Sequence, residues 1–182
     1  MPPGFLDEKD RKVLELDARR AVYHLIRKFA GCHFRELERI SGLPSGTLKH
    51  HLGFLARNGL VSRVKEDNSL RYFPRDFSSS DKSLMGMLRQ GSLRKILLFI
   101  LVRKQCMHKD IVEFTGLSPS TVTWHLMKLE RGGIVEATRS GRTTRYRIIA
   151  DKDVIIKLLI TYKGSFLDSL VDHVIEMWEI SA

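Results

Sequence analysis

Residues 116–126, GLSPSTVTWHL, decide the fold when set beside residues 42–52, GLPSGTLKHHL, because the chain states nearly the same phrase twice, 74 residues apart. In each copy a glycine comes first, a turn follows, and apolar residues then recur at i, i+4 and i+7. These are Val122, Leu126 and Leu129 in the later copy and Leu48, Leu52 and Leu55 in the earlier one. Such spacing puts the apolar side chains on one side of a helix and leaves the opposite side for another purpose. Ser118 followed by Pro119 marks a helix start: the hydroxyl caps the first turn, and proline sits at the first helical position, where its missing N–H costs nothing.

Outward from these phrases the offset holds without a gap. It pairs Arg20 with Arg94, Cys32 with Cys106, His51 with His125, Gly59 with Gly133, and Arg71-Tyr72 with Arg145-Tyr146. A repeat this long is not a solenoid unit, so the duplication predicts two similar small domains in tandem. Upstream, Val22, Leu25, Ile26 and Phe29 share one face of a first helix, as Ile96, Phe99 and Ile100 do in the second copy. A short helix follows over 34–40 or 109–114, ending at Gly42 or Gly116, where glycine suits the left-handed position after a helix. Downstream, Asn58-Gly59 and Gly132-Gly133 stop the third helix. Each stop leads into two β-rich runs around a polar turn, 60–64 with LRYF and 134–138 with TRYRI.

Helix, helix, turn, helix and hairpin is the order of a winged helix-turn-helix. The predicted class is mainly α with small β-hairpin wings, an α+β fold of two tandem winged helix-turn-helix domains plus C-terminal helices. The boundaries follow as 1–78, 79–150 and 151–182, with FSSSDKS, residues 77–83, as a linker and Leu84–Leu88 bracing the next helix. In the tail, 151–163 and 165–178 read as two helices. Ser165 and Asp168 stand at capping-box spacing, and Leu167, Leu170, Val171, Val174 and Trp178 form an apolar face. That face is expected either to pack on the second module or to join two copies in a homodimer through residues 151–182.

The chain has 182 residues, of which 43% are hydrophobic, and a mean hydropathy of −0.16, which suits a soluble protein with buried cores. No apolar run approaches the roughly 18 residues needed to span a bilayer, and MPPGFLDEKD lacks a signal pattern, so a cytoplasmic location without membrane attachment is expected. The net charge of +10 and pI near 9.9 call for a polyanionic partner. Residues 151–182 carry six acids against three lysines, a net of −3 that leaves +13 on residues 1–150, so the tail is not expected to touch DNA.

Cys32 and Cys106 occupy equivalent places, which argues for packing. Cys32-His33 and Cys106-Met107-His108 fall short of the ligands a closed zinc site needs, so neither a metal nor a cofactor is expected. Glycine-rich phosphate loops, G-x-S-x-G and HExxH are all missing, and an enzyme is not expected.

HFRELERISGLPSGTLKHHLGFLARNGLV with RYFP, and SPSTVTWHLMKLERGGIV with RYRI, resemble the two halves of archaeal transcriptional regulators that carry two consecutive winged helices. The resemblance covers roughly residues 19–150, and its second half is also similar to ArsR-like and MarR-like modules. It implies regulation of transcription through double-stranded DNA, with the transcription machinery as a further partner.

A recognition helix presents its N-terminal residues to base edges in the major groove. With the apolar stripe inward, the expected readers are Ser45, Thr47, Lys49 and His50, with Arg57 near the helix end, and Ser120, Thr121, Thr123 and Trp124, with Lys128 one turn on. Trp124 has packing against the tail or the other module as its alternative role. The second wing, 138–149, holds Arg139, Arg142, Arg145 and Arg147 and no acid, fitting phosphates or a narrow minor groove. The first wing mixes Arg63, Lys65 and Arg71 with Glu66 and Asp67, so the second is expected to bind more strongly. The function expected is a sequence-specific, DNA-binding transcription regulator. The rival readings are a low-specificity architectural protein and a winged-helix protein-interaction module.

Overall fold

Asp7 and Asp10 cap each other at the start of α1 (Glu8–Val13): the Asp10 N–H donates to Asp7 Oδ1 at 2.7 Å and the Asp7 N–H to Asp10 Oδ2 at 3.2 Å. The sequence reading assigned no helix here, since six residues with two buried positions carry little periodicity. The computed structural model describes residues 7–66, 69–166 and 169–181, and the chain divides into two compact units, 1–82 and 83–182.

In the first unit α2 (Asp17–Lys28) leads to β1 (Cys32–His33), α3 (Phe34–Ser41) and α4 (Ser45–Arg57), and then to a hairpin of β2 (Val61–Glu66) and β3 (Ser69–Pro74). Val22 and Ile26 of α2, Leu37 of α3 and Leu48, Leu52 and Leu55 of α4 meet in one core with Cys32 and Tyr72. Burial of this stripe, at roughly 1.5–3 kcal/mol for each large apolar side chain, fixes the rotation of α4 and turns its other side to solvent. Gly42 takes the left-handed cap between α3 and α4 at φ 66°. After α4, Gly59 at φ 71° lets the Leu60 N–H reach Leu55 O at 3.0 Å, which aims the chain into the wing.

The wing contains more than a hairpin. Cys32 and His33 pair antiparallel with Tyr72 and Arg71, so a three-stranded sheet of order β1-β3-β2 ties the wing to the start of α3. Two-residue strands leave no alternation to read, and the sequence did not reveal them. The wing turn residues Asp67 and Asn68 lie outside the described residues.

The division of the chain falls within α5 (Ser79–Leu88). Residues 77–83, expected as linker, are helical from Ser79 on, because the Ser78 hydroxyl accepts from the Asp81 N–H at 3.0 Å and starts a helix with Leu84–Leu88 buried. The second unit repeats the first with α6 (Gly91–Arg103), β4 (Cys106–Met107), α7 (His108–Thr115), α8 (Pro119–Arg131), β5 (Val135–Ser140) and β6 (Thr143–Ile148). Its sheet order is β4-β6-β5. Ser118 caps α8, with its hydroxyl accepting from the Thr121 N–H at 3.2 Å and Pro119 at the first helical position.

The tail adds α9 (Lys152–Thr161), a 3₁₀ turn at Lys163–Ser165, and α10 (Ser169–Ser181). Of the helix expected from Ser165, Ser165 itself closes the 3₁₀ turn, Leu167 and Asp168 lie outside the described residues, and α10 is described from Ser169 on. α10 packs on α6 and α9, burying Val171, Val174 and Ile175. With that cover α6 is buried nearly all round, from Leu93 through Ile96–Leu101, where the sequence predicted a single face. No helix among the described residues is long and apolar enough to cross a membrane.

Candidate nucleic-acid interface

Because the apolar stripe of α4 and of α8 faces the core, the opposite side of each helix faces solvent. Along α4 that side runs Gly46, His50, Gly53 and Arg57; along α8 it runs Ser120, Trp124, Met127 and Arg131, at i, i+4, i+7 and i+11. Ser45, Thr47, Lys49, His50 and Arg57 are all exposed on α4. The Ser45 hydroxyl donates to the Glu38 carboxylate of α3, and the Lys49 ammonium lies 5.7 Å over the Phe34 ring. His50 stands edge-on to His51 with ring centroids 5.6 Å apart.

On α8, Ser120, Thr123 and Trp124 are exposed while Thr121 and Lys128 are half-buried. The hydroxyls there are already engaged: Ser118 Oγ lies 3.0 Å from Ser120 Oγ and 2.8 Å from Thr121 Oγ1. Thr123 donates to Pro119 O at 2.9 Å and meets His108 Nε2 at 3.0 Å. Lys128 donates to Gln90 at 3.3 Å and sits 5.6 Å from the Trp124 ring. Trp124 keeps 56% of its surface exposed, so within its unit it does not pack into the core.

Strand alternation sorts the second wing. Arg145 and Arg147 share one face of β6, while Arg139 stands on the other face of β5 with its Nε 3.3 Å from Gly141 O at the wing tip. Arg147 is paired across the hairpin with Glu136 at 2.7 Å, an acid just before the acid-free run. Arg142 and Arg145 are exposed and make no hydrogen bond or ion pair among the described residues. In the first wing Arg71 is buried and donates to Gly31 O at 2.8 Å, so it belongs to the structure, leaving Arg63 and Lys65 on the surface. Its counterpart Arg145 is exposed, whereas in the second unit the buried arginine is Arg94, which donates to Leu88 O at 2.7 Å and lies 5.1 Å from the Phe166 ring.

Sequence reasoning missed Met127 and Arg131. Extending the outward spacing from Ser120 by two further steps, or carrying Arg57 across the repeat to Arg131, would have found both.

Behind the outward face of α4 and of α8 sits a buried histidine. His51 and His125 are 4% and 8% exposed, and the Nδ1 of each is buried with no hydrogen-bond partner among the described residues. Burial first, then Arg19 and His50, holds His51 below the ordinary histidine range; burial and then Lys128 do the same for His125. The unfolded chain thus binds more protons than the folded one. The contribution of the neutral rings is fully present above about pH 6.5 and is lost as pH falls through the folded-state value beneath it. Urea midpoints are therefore expected to drop between pH 7.5 and pH 5, and by less in a His51→Gln/His125→Gln variant; equal drops would count against this assignment. Cys106 behaves in the opposite sense: burial pushes its thiol up to about 11, keeping it protonated as a packing group.

Residues 16–85 match a family model described as an N-terminal HTH domain, and residues 91–136 match one described as winged helix-turn-helix DNA-binding. An uncharacterized HTH-type transcriptional regulator of Methanocaldococcus jannaschii is 34% identical over 145 residues, which are 80% of this chain and 36% of that protein. The chain therefore spans about a third of the length of the curated relative it matches.

Proposed function

Because the chain carries two tandem winged helix-turn-helix domains and is similar to an archaeal HTH-type transcriptional regulator, we propose that it is a sequence-specific regulator of transcription acting on double-stranded DNA. The observation that carries this reading is the second wing, which holds Arg142 and Arg145 uncompensated at the surface next to a helix whose outer side has no cover within its unit. Strand β5 packs against α8, so wing and helix form one continuous face. In this reading α4 and α8 enter major grooves, and the wing arginines hold phosphates or the adjacent minor groove. The outward residues differ between α4 and α8, which favours dissimilar half-sites over a repeated one.

The test is retention of sheared genomic DNA from the source organism at roughly physiological salt, followed by sequencing. A discrete enriched motif is expected, because specific sites are typically about 10³-fold or more tighter than bulk DNA. Uniform retention would replace this reading with low-specificity binding, and no retention would replace it with a protein-interaction role.

A further inference from the structure

The outer stripes of the two recognition helices are chemically opposed. On α4 the stripe has glycine at 46 and 53, and a Cβ built at Gly46 would meet nothing within 4 Å. Its side chains are a histidine and an arginine, with Lys49 beside them. On α8 the same repeat positions hold Ser120 and Met127, with Trp124 in the place of His50. Trp124 and Met127 are 56% and 43% exposed and lie i, i+3 on one face, so the middle of this helix offers a continuous apolar surface to solvent. Trp124 is held in place by edge contact with His125 at 4.9 Å and by Lys128 over its ring. Its polar neighbours Ser120, Thr121 and Thr123 already have hydroxyl partners. The surface is framed by Lys128 and Arg131 and by the basic wing, which suits a polyanion better than an apolar protein groove.

The major groove has one apolar feature, the 5-methyl group of thymine. We propose that Trp124 and Met127 of α8 read thymine methyl groups, so that the second module selects a thymine-bearing half-site while α4 reads polar base edges. This inference rests on the DNA-binding reading above.

Deoxyuridine pairs as thymidine does and differs in the groove only by that methyl, so it isolates the contact. The full chain is used to enrich binders from randomised duplex DNA containing thymidine, and the enriched pool is copied with either thymidine or deoxyuridine. Wild type is expected to retain the thymidine copy roughly fifteenfold better if two methyls are buried, since each is worth about fourfold. A Trp124→Ala/Met127→Ala variant, whose exposed side chains are not needed for the core, is expected to retain both copies alike; Trp124→Phe is expected to keep most of the discrimination. Enrichment by wild type without discrimination overturns the methyl contact and leaves the DNA-binding reading intact. Discrimination undiminished in the double variant overturns it too and assigns the methyl contact to other residues of the chain. No enrichment of any pool defeats the DNA-binding reading and this inference with it.

Discussion

Reversing Arg142 and Arg145 to glutamate is expected to weaken duplex DNA binding about a hundredfold at physiological salt and to flatten the dependence of log affinity on log salt by about 1.8, two phosphate contacts at about 0.9 each. Both side chains are exposed and unpaired among the described residues, so the loss is not offset by an intramolecular partner set free. Their exposure also predicts little change in thermal stability, since surface substitutions away from special features fall within about 0.5 kcal/mol. Arg147→Glu is the internal comparison. Glu136 already neutralises that guanidinium across the hairpin, so its reversal should cost less affinity than either neighbour. Fluorescence anisotropy across a salt series reads both quantities. An unchanged slope in the double variant would remove the wing from the interface.

Removing Arg75 is expected to be strongly destabilising to the first unit. Its guanidinium grips Asp10 in a two-pronged contact, Nη1 to Oδ1 at 3.0 Å and Nη2 to Oδ2 at 2.5 Å, joining residues 65 apart in sequence. The two ends are unequal: the Asp10 side chain is 5% exposed and that of Arg75 38%. Arg75→Ala strands a carboxylate in a nearly closed site, where the Asp7 N–H is its one remaining donor among the described residues, at a cost of about 3 kcal/mol. For a unit of this size that lowers its melting temperature by roughly 10–20 °C. Asp10→Ala should cost less, because the orphaned guanidinium can reach water. The double variant should be milder than Arg75→Ala alone, having no stranded charge. Urea denaturation of all three variants checks the order, and a double variant as unstable as Arg75→Ala would refute the stranded-charge explanation.

Neither the Asp10–Arg75 contact nor the helix it secures was legible in the sequence. Legibility followed periodicity. Leu48, Leu52 and Leu55, and Val122, Leu126 and Leu129, repeat often enough to fix both the existence and the rotation of α4 and α8. Gly42, Gly116 and Ser118 mark local backbone needs that few other residues meet, and the structure places each as read. The two-residue strands β1 and β4 exist because β3 and β6, distant in sequence, supply their hydrogen bonds, which no local pattern records. The linker expected at 77–83 became part of α5 because Ser78 and Asp81 form a cap that Ser-rich composition disguised.

Charge was less legible than shape. The strip of arginines in the second wing reads as uniform, yet register couples Arg147 to Glu136 and leaves Arg142 and Arg145 unpaired among the described residues. Arg71 and Arg145 look interchangeable by alignment, but one is a buried donor and the other a surface charge.

That exchange bears on how the chain reaches its native state. A tandem duplication invites the error in which the hairpin of one copy settles on the scaffold of the other while the chain is still being made. Here the two seats are no longer alike. The hairpin of the first copy brings Arg71, which needs the Gly31 carbonyl, and Tyr72, whose carbonyl accepts from the Gly31 N–H at 2.8 Å. The counterpart of Gly31 is Gln105, whose N–H is turned away to Arg103 O at 2.7 Å by the left-handed Lys104 at φ 62°. A first-copy hairpin docked on the wrong copy would lose the N–H that its Tyr72 carbonyl needs, because the Gln105 N–H already serves Arg103 O, a cost that disfavours the crossed arrangement. Divergence at Gly31 and Gln105 is thus expected to bias each hairpin toward its own copy during synthesis.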